Sequence, residues 1–242
     1  MSGVCVLSQA ITEAIVLAGG LGTRLHSVIS DKPKSMAVVR GRPFLEFLFD
    51  HWVSQGIQHF IVSTGYRGEA IRDHFGAQYK QATISFVHEN EPRGTGGAVK
   101  LVLSSGCLFS DQALLFNGDT WFPADLRELN TVTVSEPVCM CVTDVSVNER
   151  YGSVLIGNSN NVVGFGLPTH GPSLINAGVY SLHAEGLMRY LLSMPDCFSL
   201  ERDTLSNLVE NFALTFSRQP APFLDIGTPD DYLKAAAILP IK

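Results

Sequence analysis

AIVLAGGLGTRL, residues 14–25, is an apolar run that breaks into three glycines, Gly19, Gly20 and Gly22, and then meets a cation at Arg24. An apolar run without polar alternation reads as a strand buried on both faces, the kind found inside a parallel sheet. Glycine lets the backbone approach a ligand and turn its N–H groups outward. The fork of donors on Arg24 matches phosphate geometry. Taken alone, the same residues also describe a strand-to-helix turn with a solvated arginine. Two familiar phosphate loops are excluded. Gly20-x-Gly22-x-x-Leu25 lacks the third glycine of the dinucleotide fingerprint, and no Gly-Lys-Ser/Thr follows it.

Working outward, strand-like and helix-like segments alternate. RPFLEFLFDHWVSQGI carries Leu45, Leu48, Phe49, Trp52 and Val53 at helical spacing, with Pro43 suited to the first turn and Gly56 to the stop. HFIVSTG reads as a strand, RGEAIRDHFG as a helix, TISFVHE as a strand, TGGAVKLVLSSG as a helix and ALLFNGD as a strand. PADLRELN reads as a helical turn or two and VCMCVTDV as another strand. This rhythm predicts βαβ units, a mainly parallel sheet and helices on both faces. After Tyr151 the rhythm changes to consecutive strands in YGSVLIG, VVGFG and INAGVYSL. Helices follow in AEGLMRYLLSM and SLERDTLSNLVENF, then strands in LTFSR and FLDIG, and a last helix in PDDYLKAAAIL. Thr228, Pro229 and Asp231 suit the cap, first position and third position of that helix. No linker, repeat or low-complexity stretch interrupts the chain, so residues 1–242 read as one domain, with residues 1–13 as an N-terminal extension.

Composition narrows the function. The net charge of −6 argues against a general nucleic-acid binder, yet leaves room for a locally positive pocket that takes a small anion. Cys5, Cys107, Cys139, Cys141 and Cys197 form no C-x-x-C pair and read as core thiols in a reducing compartment. The seven histidines show no H-x-x-x-H spacing, so no zinc site is expected. No segment reaches the roughly 18 apolar residues of a membrane span. The first residues lack a basic region and a long apolar stretch, so a cytoplasmic protein is expected.

A second cation, Lys34, follows a stiffening proline in DKPKSM. Two cations within a dozen residues suit a polyanionic ligand. LAGGLGTRL followed by KPKSM resembles the signature of the sugar-phosphate nucleotidyltransferases, and the resemblance continues in GTGGA, NGD, NAGVY and LDIGTPDDY. It runs from Ala14 to Tyr232. Within that family, GRPFLEFLFD, EPRGTGGA and DIGTPDDY are most similar to D-glycero-D-manno-heptose 1-phosphate guanylyltransferases. The resemblance implies a Rossmann-like three-layer α/β sandwich of the GT-A-like type. It also implies a reaction in which a sugar 1-phosphate oxygen attacks the α-phosphorus of a nucleoside triphosphate and pyrophosphate leaves. That oxygen needs no strong base, because a phosphate monoester has a second pKa of about 6. Catalysis then rests on positioning two anions and neutralising their charge.

By the same resemblance, Leu17, Ala18, Gly19 and Gly20 line the nucleotide, and Gly22, Thr23 and Arg24 hold its phosphates. Lys34 stands at the reacting phosphates. Gly94, Thr95, Gly96 and Gly97 form a second nucleotide loop, joined by Asn117 and Gly118. Asp119 and Asp225 are the expected ligands of Mg2+, and Arg24, Lys34 and Asp119 the expected catalytic set. Gly152, Asn176, Gly178 and Glu201 match sugar-contacting positions. The substrates implied are a nucleoside triphosphate, GTP first, and a sugar 1-phosphate. The family allows a homodimer.

One departure stands out. Many relatives carry a Glu-Lys pair before the strand matching INAGVY, and its lysine contacts the sugar phosphate. Here no lysine lies between Val162 and Tyr180, and Arg150 and Arg202 are the cations that adjoin the sugar-side motifs. Two alternatives stay open at this point. One is a uridylyl-, thymidylyl- or guanylyltransferase acting on hexose or N-acetylhexosamine 1-phosphate, and the other is a nucleotide-sugar-binding protein without chemistry.

Overall fold

Strand β1, Glu13–Leu17, is the middle of the sheet, and its Ala14, Ile15 and Val16 are fully buried. The computed structural model describes residues 10–20, 32–129 and 131–241. The expectations for Gly22, Thr23, Arg24 and Cys5 therefore lie outside the described residues. After β1 come the short strands β2 (Val38–Val39) and β3 (Arg42–Pro43), then α1 (Phe44–Ser54), β4 (His59–Thr64), α2 (Glu69–Phe75), β5 (Gln78–Tyr79) and β6 (Ala82–His88). Next are α3 (Gly94–Ser104), β7 (Gln112–Asn117), β8 (Thr120–Trp121), β9 (Val138–Val145), β10 (Ser153–Ile156), β11 (Val162–Gly166) and β12 (Ser173–His183). The chain closes with α4 (Ala184–Leu191), a π-helical turn over Leu200–Leu205, α5 (Ser206–Glu210), β13 (Leu214–Arg218), β14 (Leu224–Asp225) and α6 (Pro229–Ile238).

The main sheet runs β11-β10-β12-β7-β1-β4-β6-β5, with β9 paired to β12 and β13. Its centre, β7-β1-β4-β6, is parallel, and β12 joins antiparallel to β7. Alternation along β1 sends Ala14 and Val16 to one face, against a core that includes α1, α2 and α6, and Ile15 to the other, against α3, α4 and α5. Phe49 of α1 stacks on Phe60 of β4 with ring centroids 4.2 Å apart. Burying each such aliphatic or aromatic side chain contributes about 1.5–3 kcal/mol. The result is the three-layer α/β sandwich expected from the rhythm, with the parallel strands all ending on one edge. Glu13, which the sequence reading put in the N-terminal extension, opens β1 and is buried.

Three local expectations change. Pro43 ends β3 instead of opening α1, because it pairs with Val38 and the Phe44 amide is taken by the Ala37 carbonyl. SLERDTLSNLVENF is not one α-helix. It widens into a π turn over Leu200–Leu205 where the Leu200 amide is held by the Thr95 hydroxyl at 2.9 Å. Such widenings recur at functional sites. Of the cysteines, Cys139 and Cys141 are buried in β9 as expected, whereas Cys107 is half-buried and Cys197 exposed. Those two lie on connections, which run over the surface.

Candidate active site

In an open parallel sheet the ligand edge is the carboxyl end of the strands. Two adjoining clefts open there and share Asn117, the last residue of β7. The first, about 460 Å³, is lined by Leu17, Gly19, Gly20, Glu89, Arg93, Gly94, Thr95, Asn117 and Asp119 among others. The second, about 560 Å³, is lined by Thr120, Arg150, Tyr151, Gly152, Phe165, Asn176, Gly178, Glu201, Arg202 and Asp225 among others.

The end of β1 shapes the first cleft. The Ala18 amide donates to the Ser63 carbonyl at 3.0 Å, and the Gly118 amide donates to the Leu17 carbonyl at 2.9 Å. Both bonds tie the turn to its neighbouring strands. Gly19 has no room for a side chain, because a Cβ there would sit 2.2 Å from Glu89 Oε1. This close approach keeps the Glu89 carboxylate in the cleft floor, where the Ser63 hydroxyl donates to it at 2.9 Å. On α3, Gly94 and Thr95 face the cleft, but Gly96 and Gly97 do not. Both are buried, both amides donate to the Phe198 carbonyl, and Cβ atoms there would strike Phe198 and Asp196. Their smallness serves packing against the Asp196–Phe198 segment, so the structure does not bring them to the first cleft. Ala18 is also buried, behind the lining.

The four sugar-side residues Gly152, Asn176, Gly178 and Glu201 all line the second cleft. Gly178 takes φ +70° in an irregularity of β12, against Asn117. Asn176 fixes that bend by accepting from the Gly178 amide at 2.9 Å and donating to the Tyr180 hydroxyl at 2.6 Å. Glu201 Oε2 accepts from Thr95 at 2.7 Å and from Ser199 at 3.0 Å. Thr95 thereby links the wall of one cleft to the wall of the other.

Where the clefts meet, Lys34 Nζ lies 2.6 Å from Asp119 Oδ2 and 2.9 Å from Asp225 Oδ1. Burial alone would lower the pKa of this ammonium. The two carboxylates outweigh it and raise the pKa above the ordinary lysine value. Two carboxylate oxygens converging on one cation are the donor set that Mg2+ accepts, its remaining positions going to phosphate oxygens and water. Among the described residues, no cluster of three or more His, Cys, Asp or Glu stands ready to hold a metal. The two carboxylates supply part of a divalent ion's oxygen shell, and the rest would have to come from substrate phosphates and water.

Sequence reading left two cleft residues, Glu89 and Arg93, without a role, and singled out Arg150 with Arg202 as the cations beside the sugar-side motifs. Glu89 ends TISFVHE, and the open-sheet rule alone would have put it at the ligand edge. Arg93, in EPRGTGGA, puts a cation in the lining of the first cleft. Arg150 reaches one of the two carboxylates that hold Lys34, with its Nη2 2.9 Å from Asp225 Oδ2.

The description of the nucleotidyl transferase family matches residues 13–240. The D-glycero-alpha-D-manno-heptose 1-phosphate guanylyltransferase of Aneurinibacillus thermoaerophilus is 37% identical, over 92% of this chain and 96% of its own. The enzyme of the same name from Campylobacter jejuni is 35% identical, over 91% and 96%. The crystal structure of HddC from Yersinia pseudotuberculosis complexed with GMP-PN superposes with a TM-score of 0.80 at 32% identity, covering 94% of this chain and 99% of that one. The chain belongs to the nucleotidyl transferase family, and its resemblance to the sugar-phosphate enzymes is borne out.

Proposed function

We propose that the protein transfers GMP from GTP to D-glycero-D-manno-heptose 1-phosphate, giving the GDP-sugar and pyrophosphate. The relatives carrying that activity in their names support the sugar. The observation that carries the base is Glu89, a buried carboxylate in the floor of the nucleotide cleft. Guanine presents adjacent ring and amino N–H donors along its pairing edge, which a carboxylate accepts two at once. Uracil and thymine offer one N–H between two carbonyls, and those carbonyls would face the carboxylate with like charge. Ser63 and the Arg93 amide already bind Glu89, but a carboxylate has about four acceptor sites, so it keeps capacity for the base.

In the reaction, a sugar-phosphate oxygen forms the new bond to the α-phosphorus. The bond from that phosphorus to the β-bridging oxygen breaks, and the electron pair leaves with pyrophosphate. Asp119 and Asp225 would hold Mg2+, which would neutralise charge on the phosphates. Lys34, an ammonium between them, would supply positive charge to the same phosphates. Arg24 and the glycine turn are assigned to the triphosphate. Glu201 and Asn176 are assigned to sugar hydroxyls. No helix among the described residues is long and apolar enough to cross a membrane, and we assign the protein to the cytoplasm.

A panel of four nucleoside triphosphates against heptose, mannose, glucose and N-acetylglucosamine 1-phosphates, scored by pyrophosphate release, tests this reading. GTP with the heptose 1-phosphate is expected to give the highest kcat/KM. Equal or better turnover with UTP or dTTP, or with a hexose 1-phosphate, would overturn it.

A further inference from the structure

We infer that Arg150 is the residue that grips the phosphate of the incoming sugar 1-phosphate, and that Asp231 aims it. The inference rests on the transferase reading, though not on which sugar or base is used. A sugar 1-phosphate brings about two negative charges into the second cleft. Its phosphate must end at the junction of the clefts, because only there can it meet the α-phosphorus of a nucleotide in the first. That junction is acidic, since Asp119 and Asp225 converge on it. A dianion needs a cation at this spot beyond the one that Lys34 shares between two carboxylates.

The lining of the second cleft offers Arg150 and Arg202. Arg202 sits on the π turn beside Glu201, where its backbone amide donates to the Ser199 hydroxyl at 3.2 Å. Arg150 stands at the junction, with its NH2 group on Asp225 Oδ2 at 2.9 Å. Its NH1 group binds Asp231, near the start of α6. Asp231 is fixed in turn by the Thr228 hydroxyl at 2.7 Å. The Arg150 guanidinium also packs over the Tyr151 ring, 5.0 Å from its centroid. One arm is therefore anchored on the capped Asp231 while the other rests on Asp225 at the junction of the clefts. Gly227 keeps the space open, because a Cβ there would come within 2.9 Å of Asp225 Oδ1 and 3.2 Å of Arg150 NH2.

This arrangement gives the planar fork two duties. Without substrate it neutralises Asp225. With a dianion in the cleft, the arm on Asp225 turns to phosphate oxygens, and the arm on Asp231 holds the angle. Arginine suits this better than lysine, because two parallel N–H bonds to one phosphate fix orientation as well as charge. Asp231 is a positioning residue and touches no substrate.

The test is steady-state pyrophosphate release with whichever sugar 1-phosphate and nucleoside triphosphate the wild type prefers in the panel. Calorimetric titration of the same sugar 1-phosphate runs in parallel. Arg150→Ala, Arg150→Lys, Asp231→Asn and Arg202→Ala are compared with wild type, with melting temperatures as a check on folding. Loss of a hydrogen-bonded cation predicts a rise of about tenfold to a hundredfold in the KM and Kd for sugar 1-phosphate in Arg150→Ala. The KM for the triphosphate is expected to stay within about twofold, a split that a general loosening of the site would not give. Arg150→Lys is expected to restore part of the affinity, and Asp231→Asn to weaken it by less than Arg150→Ala does. An unchanged sugar-phosphate KM in Arg150→Ala, an equal rise in both Michaelis constants, or a larger loss in Arg202→Ala would overturn the assignment. A different preferred sugar or base overturns the proposed specificity alone. A wild type that binds and turns over no sugar 1-phosphate overturns both.

Discussion

Acidic side chains sit at both ends of the central strands, in opposite circumstances. At the amino end, Glu13 accepts from His59 Nδ1 at 2.8 Å and from the amides of Phe109 at 3.0 Å and Ser110 at 2.6 Å. His59 in turn meets the Ser85 hydroxyl at 2.9 Å through its other nitrogen. At the carboxyl end, Asp119 and Asp225 are held by the long side chains of Lys34 and Arg150. Backbone amides cannot withdraw, whereas flexible cations can, so the first cluster is closed and the second is exchangeable. Cavity size does not make this distinction. The hollow beside Glu13 and His59, about 700 Å³, is larger than either cleft at the carboxyl end. What marks a ligand site here is carboxylates whose partners a metal and phosphates could replace.

The sharpest way to break the comparison is to neutralise one carboxylate at the exchangeable end. Asp119→Asn and Asp225→Asn are each expected to lower kcat on the order of a thousandfold, as expected when charge stabilisation at the reacting phosphates is lost. Their melting temperatures should stay within about 2 °C of wild type, since the pair is partly solvated and Lys34 keeps one partner. Thermal unfolding and Mg2+-dependent pyrophosphate release measure the two quantities. Near-normal turnover in either variant would remove the metal assignment.

A smaller change is expected one residue beyond β6. Glu89→Gln keeps the size of the side chain but replaces one of the two acceptor oxygens by an NH2 donor, so it can no longer face two adjacent N–H groups with an oxygen each. The preference for GTP over the other triphosphates should fall about tenfold to a hundredfold in kcat/KM. An unaltered preference would mean that the base is read elsewhere, and the supporting argument for guanine would fall with it.

The fold was legible because its signals are local. Unbroken apolar runs announced β1, β4 and β7, and Thr228-Pro229 announced α6. That Gly152, Asn176, Gly178 and Glu201 share one cleft wall agrees with the grouping the resemblance implied, and within INAGVY the bend at Gly178 and the side chain that fixes it are neighbours in sequence. What could not be read was side-chain traffic between distant segments. Gly96 and Gly97 look like ligand-facing glycines, yet they make room for Asp196 and Phe198, about a hundred residues away in the chain. Lys34 and Arg150 meet Asp225 across separations of 191 and 75 residues, which no spacing rule encodes. Glu89 was passed over because a glutamate at the end of a strand is ordinarily a solvated one. Its burial depends on the missing side chain at Gly19.

The closed end supplies the last and smallest effect on activity. Glu13→Gln should leave kcat within about twofold of wild type, because Glu13 lies at the opposite end of the strands from the proposed site. Its effect is on stability. A glutamine keeps one acceptor and turns an amide toward donors, leaving a buried N–H unpaired at about 2 kcal/mol. For a chain of this length that corresponds to a drop of about 4–8 °C in melting temperature. The pH dependence identifies the cause. Burial pushes the Glu13 carboxyl up, but the bonds from His59, Ser110 and Phe109 outweigh it and leave its pKa below the ordinary value. A depressed carboxylate adds stability that is fully present above its unfolded pKa of about 4.3 and is lost as pH falls through the folded value. The gap in unfolding free energy between wild type and Glu13→Gln should therefore be constant above about pH 5.5 and should narrow steadily below about pH 4.3. Denaturant titrations at several pH values would measure it. Parallel curves down to the acid limit would mean that Glu13 contributes shape and not charge, and the contrast between the two ends would lose its electrostatic half.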